Sequence, residues 1–318
     1  MNDLPKRVEI HEEGPREGFQ IEPLGFSLED RAGLVEALAG AGLAQIQVAS
    51  FVNPVRVPQM ADAAELFARI RKVDGVRYTA LWLNEKGFER ARSVPQVDID
   101  GALYLYTSDA FSQMNNGASA EAHNRKQIDW IQRYHACGIK VDTAYVMTAF
   151  GCHFAGEISE QQLAQTLDLI RAVETEGEVH LERLYLADTV GWANPLSVQR
   201  RVELVRRFFP HVRVGMHLHD TRGAGMANAL AALQCGVDLF DASVAGLGGC
   251  PFSGHAAGGA AGNICTEDLV FMCHEMGIET GVDLEHLIGA AKFAEQLIGR
   301  RLEGRLMHSG SLAAYRRQ

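Results

Sequence analysis

Two hydrophobic rhythms alternate along the chain. Short runs rich in β-branched and aromatic residues recur at 8–13 (VEIHEE), 44–50 (AQIQVAS), 77–83 (RYTALWL), 101–106 (GALYLY), 140–147 (KVDTAYVM), 183–188 (RLYLAD), 213–220 (RVGMHLHD) and 239–246 (LFDASVAG). Between them apolar positions return on a helical period, as in 27–42 and 159–177. The first of these helices opens on Ser27 with Asp30 three residues later, a helix-start signal. Strand then helix, eight times over, predicts a parallel sheet and an α/β fold of the (β/α)8 TIM-barrel class. An open doubly wound sheet is the rival. It expects GxGxxG after its first strand, and GPREGFQ (14–20) stands there instead. No Pro/Gly/Ser-rich linker divides the chain. A single domain over 1–318 is therefore expected, with the barrel at about 8–283 and a C-terminal helical extension and tail over 284–318.

Composition narrows the function. Of 318 residues, 47% are hydrophobic and 22% charged, enough for a full core. The formal charge of −10, with no basic block, argues against nucleic acid as a partner. A small anionic substrate stays open, because one arginine or a metal overrides net charge locally. No apolar run is long enough to span a bilayer. Six cysteines without a CxxC pair, and an N-terminus unlike a signal peptide, predict a reduced, soluble, cytoplasmic protein.

Barrel enzymes build their sites at the C-terminal ends of the strands. There this chain collects Arg16 and Glu17 after the first strand, Gln47 and Ser50 in the second, Asp188 and Thr189 at the sixth, and His217, His219 and Asp220 at the seventh. The opposite strand ends show no such concentration. Side chains two apart on a strand face the same way, so His217 and His219 point together. Near the rim they can bind one divalent metal in a mixed N/O site. A satisfied core histidine beside a surface one is the alternative. The glycine-dense stretch 243–268 is a connector, a phosphate cradle, or a loop that closes over substrate and delivers the Cys250 thiol for proton transfer.

SVAGLGGCPF (243–252) resembles the signature stretch of the 3-hydroxy-3-methylglutaryl-CoA lyase family. GPREGFQ (14–20), ASFVNPVRVPQMAD (49–62), LADTVGWANP (186–195), HLHDTRGAGMANALAALQCGVD (217–238) and GNICTEDLVFMCHEMGIETGVDL (262–284) continue the likeness, which runs from about Val8 to about Ile298. The resemblance implies a divalent metal, Mg²⁺ or Mn²⁺, held by Glu17, His217, His219 and Asn263. It implies that Arg16 neutralises a developing enolate, that Cys250 takes part in proton transfer, that Asp188 sits beside the site and that Asp220 supports the ligand shell. Gln20, Gln47 and Ser50 would line the substrate pocket. The substrate would be a tertiary 3-hydroxyacyl-CoA, split to acetyl-CoA and a keto acid by a homodimer.

Four departures mark the chain. Glu17 stands where the family usually has Asp, and Gln47 where it usually has Glu. Ile21 and Pro23 replace a usual Asn and Lys, and the stretch 253–263 reads a few residues longer. Together they point to a close analogue such as citramalyl-CoA or a 3-hydroxy-3-alkylglutaryl-CoA as an alternative substrate. A condensing synthase, which often carries an added domain, and a catalytically inactive metal-binding barrel are further alternatives. Cys152 and His153 either line the pocket or pack a loop. His255 reads as exposed, and Trp82, Trp192 and Phe252 read as packing residues.

Overall fold

All eight expected strands form, with one extra hairpin. In chain order they are β1 (Glu9–Glu12), β2 (Gln45–Ser50), β3 (Arg77–Leu81), β4 (Gly101–Tyr106), β5 (Val141–Met147), the hairpin strands β6 (Gly151–Cys152) and β7 (Gly156–Glu157), β8 (Arg183–Asp188), β9 (Arg213–Leu218) and β10 (Leu239–Ala242). The computed structural model describes residues 4–23, 25–249 and 262–316. Cys250, Phe252, His255 and the stretch 253–261 lie outside the described residues. The chain divides into two compact units, one from Asp100–Phe240 and one from Lys6–Ile99, Asp241–Gly249 and the described residues after 261.

In the first unit β4, β5, β8 and β9 lie side by side, all parallel. The register sets Tyr104 beside Tyr145 and Tyr145 beside Tyr185, and their rings stack at 5.2 and 4.4 Å. The next position across is Gly215, where a Cβ would sit 2.6 Å from the Tyr185 ring. The glycine in RVGMHLHD is thus room for an aromatic neighbour. Helices connect the strands, and two of them start on reciprocal caps. Ser159 and Gln162 form a reciprocal capping box for Glu160–Glu176, and Asn194 and Ser197 do the same for Pro195–Phe208. Each helix buries an apolar stripe, for example Leu163, Leu167, Ile170 and Val173.

In the second unit β1, β2 and β3 are parallel neighbours. Glu13 N donates to Ala242 O at 2.8 Å, which ties the end of β1 to the end of β10. Ser27 accepts from Asp30 N at 3.0 Å and starts the helix Leu28–Gly40, as its sequence predicts. The C-terminal extension is the helix Leu284–Ile298, capped by Asp283. Beyond it two short helical segments, Leu306–Ser309 and Ala313–Arg316, form where the sequence reading has a polar tail. Asp268 pins that segment by accepting from the backbone of Arg305 and Leu306 at 3.0 and 2.8 Å.

Two local features position side chains. The stretch after β1 is a helix, Gly14–Ile21, which strand periodicity does not announce. Pro15 in its first turn suits helix entry, and Glu13 O accepts from Arg16 N and Glu17 N at 3.1 and 2.8 Å. The β2–β3 register slips by one residue between Gln47 and Ala49, a β-bulge. Gln47 pairs with Thr79 and Ser50 with Leu81. The bulge therefore brings Gln47 and Ser50, three apart in sequence, to one face.

Candidate metal and active site

The Gly14–Ile21 helix presents Arg16 and Gln20 one turn apart, and the bulged β2 presents Gln47 and Ser50. The two pairs meet. Arg16 Nε donates to Gln47 Oε1, and Ser50 Oγ donates to Gln20 Oε1 at 3.1 Å. The Arg16 guanidinium also bonds two carboxylates through one nitrogen. Its Nη2 lies 2.6 Å from Glu13 Oε2 and 2.8 Å from Glu17 Oε1. Arg16 and Glu17 are almost enclosed, and Glu13 is 3% exposed. Three buried charges at this density carry a net −1, with Gln47 neutral.

Asn263 completes this cluster. Its Nδ2 donates to Glu17 Oε2 at 2.6 Å, while its Oδ1 is buried with no hydrogen-bond partner among the described residues. A buried amide oxygen without a donor costs about 1–3 kcal/mol unless something satisfies it. An oxygen-seeking cation would do so, and the net negative charge beside it favours one. Gly248 makes the close approach possible. It sits at φ +98°, and a Cβ there would meet Glu17 Cβ at 2.7 Å.

The first unit carries the imidazoles. His217 and His219 are both buried at the end of β9, with rings edge-to-face at 5.2 Å. His219 Nδ1 lies 2.7 Å from Thr189 O. A carbonyl oxygen only accepts, so Nδ1 carries the proton and Nε2 holds the lone pair, the tautomer a metal ligand needs. Asp188 is fully buried, and its carboxylate accepts from Trp192 N at 2.7 Å and Ala193 N at 3.0 Å. Burial pushes its pKa up against those two bonds. Its visible task is to hold the turn after β8 that also carries Thr189 O. Asp220 Oδ1 accepts from Gly225 N at 2.5 Å and caps the next helix.

In the second unit a carboxylate and an amide oxygen, and in the first two imidazoles, are donor types that divalent ions take, without the thiolates of structural zinc. A second group, Glu174, His180 and His211, also has its ligand atoms close together. Its two imidazole rings lie stacked at 4.5 Å with 17° between planes, so their in-plane lone pairs do not converge on one point.

Other sequence candidates fall into place. Cys152 is buried beside Tyr106, Phe111 and Val190, a packing role. His153 meets Arg222 through Nε2 at 3.2 Å. Trp82 is buried against Phe88, and Trp192 lies over Gly151. Glu13 went unnoticed in the sequence because it reads as the polar end of a strand. Only the Gly14–Ile21 helix, which strand periodicity does not announce, sets it one turn before Glu17 and three residues before Arg16.

A family model described as HMGL-like matches residues 7–294. The chain is 36% identical over 304 residues to the hydroxymethylglutaryl-CoA lyase YngG of Bacillus subtilis, covering 95% of this chain and 96% of that one. The crystal structure of a hydroxymethylglutaryl-CoA lyase from Pseudomonas aeruginosa superposes with a TM-score of 0.87 at 35% identity, covering 97% of this chain and 98% of the other. An HMG-CoA lyase from Acinetobacter baumannii, solved with coenzyme A and 3-methylmalate, gives 0.85 at 33% identity, with 98% of each chain covered.

Proposed function

The chain belongs to the HMGL-like family, and from that membership we propose that it is a divalent-metal-dependent carbon–carbon lyase that splits hydroxymethylglutaryl-CoA into acetyl-CoA and acetoacetate. The observation that carries the reading is the cluster of Arg16, Glu17 and Asn263, in which a buried guanidinium, a carboxylate and an unsatisfied amide oxygen converge. On the family resemblance we assign Glu17, Asn263, His217 and His219 as ligands of one ion. When bound, that ion supplies Lewis-acid polarisation of the substrate's hydroxyl and carbonyl oxygens. Magnesium or manganese suits such a site.

The rest falls to the protein. A base removes the tertiary hydroxyl proton, the C3–O bond becomes a carbonyl, and the C2–C3 pair passes to the thioester as an enolate. Arg16 carries positive charge to where that enolate oxygen develops. Cys250, assigned on the family resemblance, returns the proton to C2. Asp188 holds the turn whose Thr189 carbonyl orients His219. Gln20, Gln47 and Ser50 shape the pocket wall. We extend the reading to a single-domain, cytoplasmic homodimer whose small-molecule partner is an acyl-CoA. The relative solved with coenzyme A supports the thioester, and the family resemblance supports the rest. Among the described residues no helix is long and apolar enough to cross a membrane. No feature of the site favours citramalyl-CoA, a longer 3-hydroxy-3-alkylglutaryl-CoA, a condensing synthase or an inactive barrel over this reading.

The test is direct. Purified protein with Mn²⁺ should release acetyl-CoA and acetoacetate from hydroxymethylglutaryl-CoA, and chelation should stop it. Arg16→Gln and Cys250→Ala should each lower kcat by about 10²–10³. Absence of acetyl-CoA release overturns the reading, and near-normal turnover of either variant removes that residue from its role.

A further inference from the structure

We propose that Glu13 is a positioning residue that supplies the carboxylate missing from position 47. The acid expected in β2 is an amide here, and the sequence shows no replacement. The structure holds one on the neighbouring element: Glu13, buried at the end of β1, reaches Arg16 Nη2 at 2.6 Å, while Gln47 takes Arg16 Nε. Besides Glu17, the guanidinium therefore has a neutral anchor on the strand and a charged one at the helix entry, where the missing strand charge has moved.

The relocation acts on Glu17. A single guanidinium nitrogen is shared between Glu13 and Glu17, at 2.6 and 2.8 Å. Glu13 draws part of that positive charge away, and its own negative charge adds to the potential at Glu17. Without it, Arg16 and Glu17 form an isolated ion pair, and a cation must compete with the guanidinium for the Glu17 oxygens. Glu13 thus acts through Arg16 in two ways. It leaves Glu17 more available to a cation by sharing the guanidinium nitrogen, and it keeps that nitrogen from turning wholly onto Glu17.

The inference rests on the proposed lyase reading, and its test separates the two. Mn²⁺ affinity is measured by the electron paramagnetic resonance of free Mn²⁺, without substrate, beside kcat and KM on hydroxymethylglutaryl-CoA. Glu13→Gln keeps the volume and removes the charge. It should weaken Mn²⁺ binding by about 10–100-fold and lower kcat more than it raises KM. The exchange variant Glu13→Gln/Gln47→Glu returns a carboxylate to Arg16 from the strand side and preserves net charge. It should recover Mn²⁺ affinity to within about threefold of the parent and regain most of kcat, a rescue that a purely structural role for Glu13 does not produce. Parent-like Mn²⁺ binding in Glu13→Gln, or an exchange variant that binds no better than the single one, overturns the inference. Should Glu13→Gln fail to fold, the exchange variant against the parent decides alone. A parent that binds Mn²⁺ yet cleaves no hydroxymethylglutaryl-CoA overturns the lyase reading while the Mn²⁺ arm still judges Glu13.

Discussion

Asn263 shows what one side chain can say. Its Nδ2 is engaged by Glu17 and its Oδ1 is buried without a donor among the described residues. The arrangement leaves an acceptor that a cation, a water or a substrate donor can satisfy. Asn263→Ala should weaken Mn²⁺ binding at least about tenfold, read by titration without substrate; unchanged affinity would take Asn263 out of the ligand set. Gln47 was harder to read from sequence. An amide in place of an acid looks like a lost base or a lost charge, yet it accepts from Arg16 Nε. The charge it lacks is carried by Glu13, which pattern alone labels as a strand end. Residue type was legible, whereas the partner of each residue was not, because partners separated by 31 or 246 positions are chosen by the fold.

At the level of elements, what periodicity reports is local and was legible. All eight strands and the helices opening at Ser27 and Ser159 stand where hydrophobic spacing and caps predict them. The Gly14–Ile21 helix and the β2 bulge were not, and both serve the site. A glycine-rich, proline-containing motif has too few apolar positions for a clear period. A bulge exists only relative to a partner strand, so one strand's sequence cannot reveal it. The turn at Gly248 belongs to the same scale. Gly248→Ala places a methyl against Glu17 in a left-handed backbone. It should lower stability by about 1–3 kcal/mol, measured by urea unfolding. It should also weaken Mn²⁺ binding, because Glu17 is the group displaced. Stability loss without any change in Mn²⁺ affinity would show that Glu17 does not depend on this turn.

For the molecule as a whole, the buried acids Glu12 and Glu267 contribute to how stability answers to pH. Glu12 accepts from Gly14 N, Val244 N and Thr266 Oγ1, yet burial still pushes its pKa from 4.5 to about 7. Glu267 accepts from Ala245 N, and burial pushes it up to about 8. Both hold protons in the folded state that the unfolded chain releases near 4.5, so folding binds protons across that interval. Their stabilising effect is complete below about 4.5 and is lost as pH rises through about 7 and 8. The urea midpoint of Glu267→Gln should therefore fall less than the parent's between pH 5 and 8.5; parallel slopes would show that Glu267 is ionised in the native protein. His123, whose pKa burial lowers, works in the opposite sense at lower pH and cancels in the comparison. Sequence by itself determined the class of fold, the strand and helix order, the pair of histidines on one strand face and the family, since these follow from local periodicity, side-chain alternation and motif. Tertiary structure alone decided that Arg16 is shared by Glu13 and Glu17, that a bulge aligns Gln47 with Ser50, and that Glu12 and Glu267 are buried acids. Those outcomes depend on register, burial and electrostatic contact between segments distant in sequence, which no local pattern encodes.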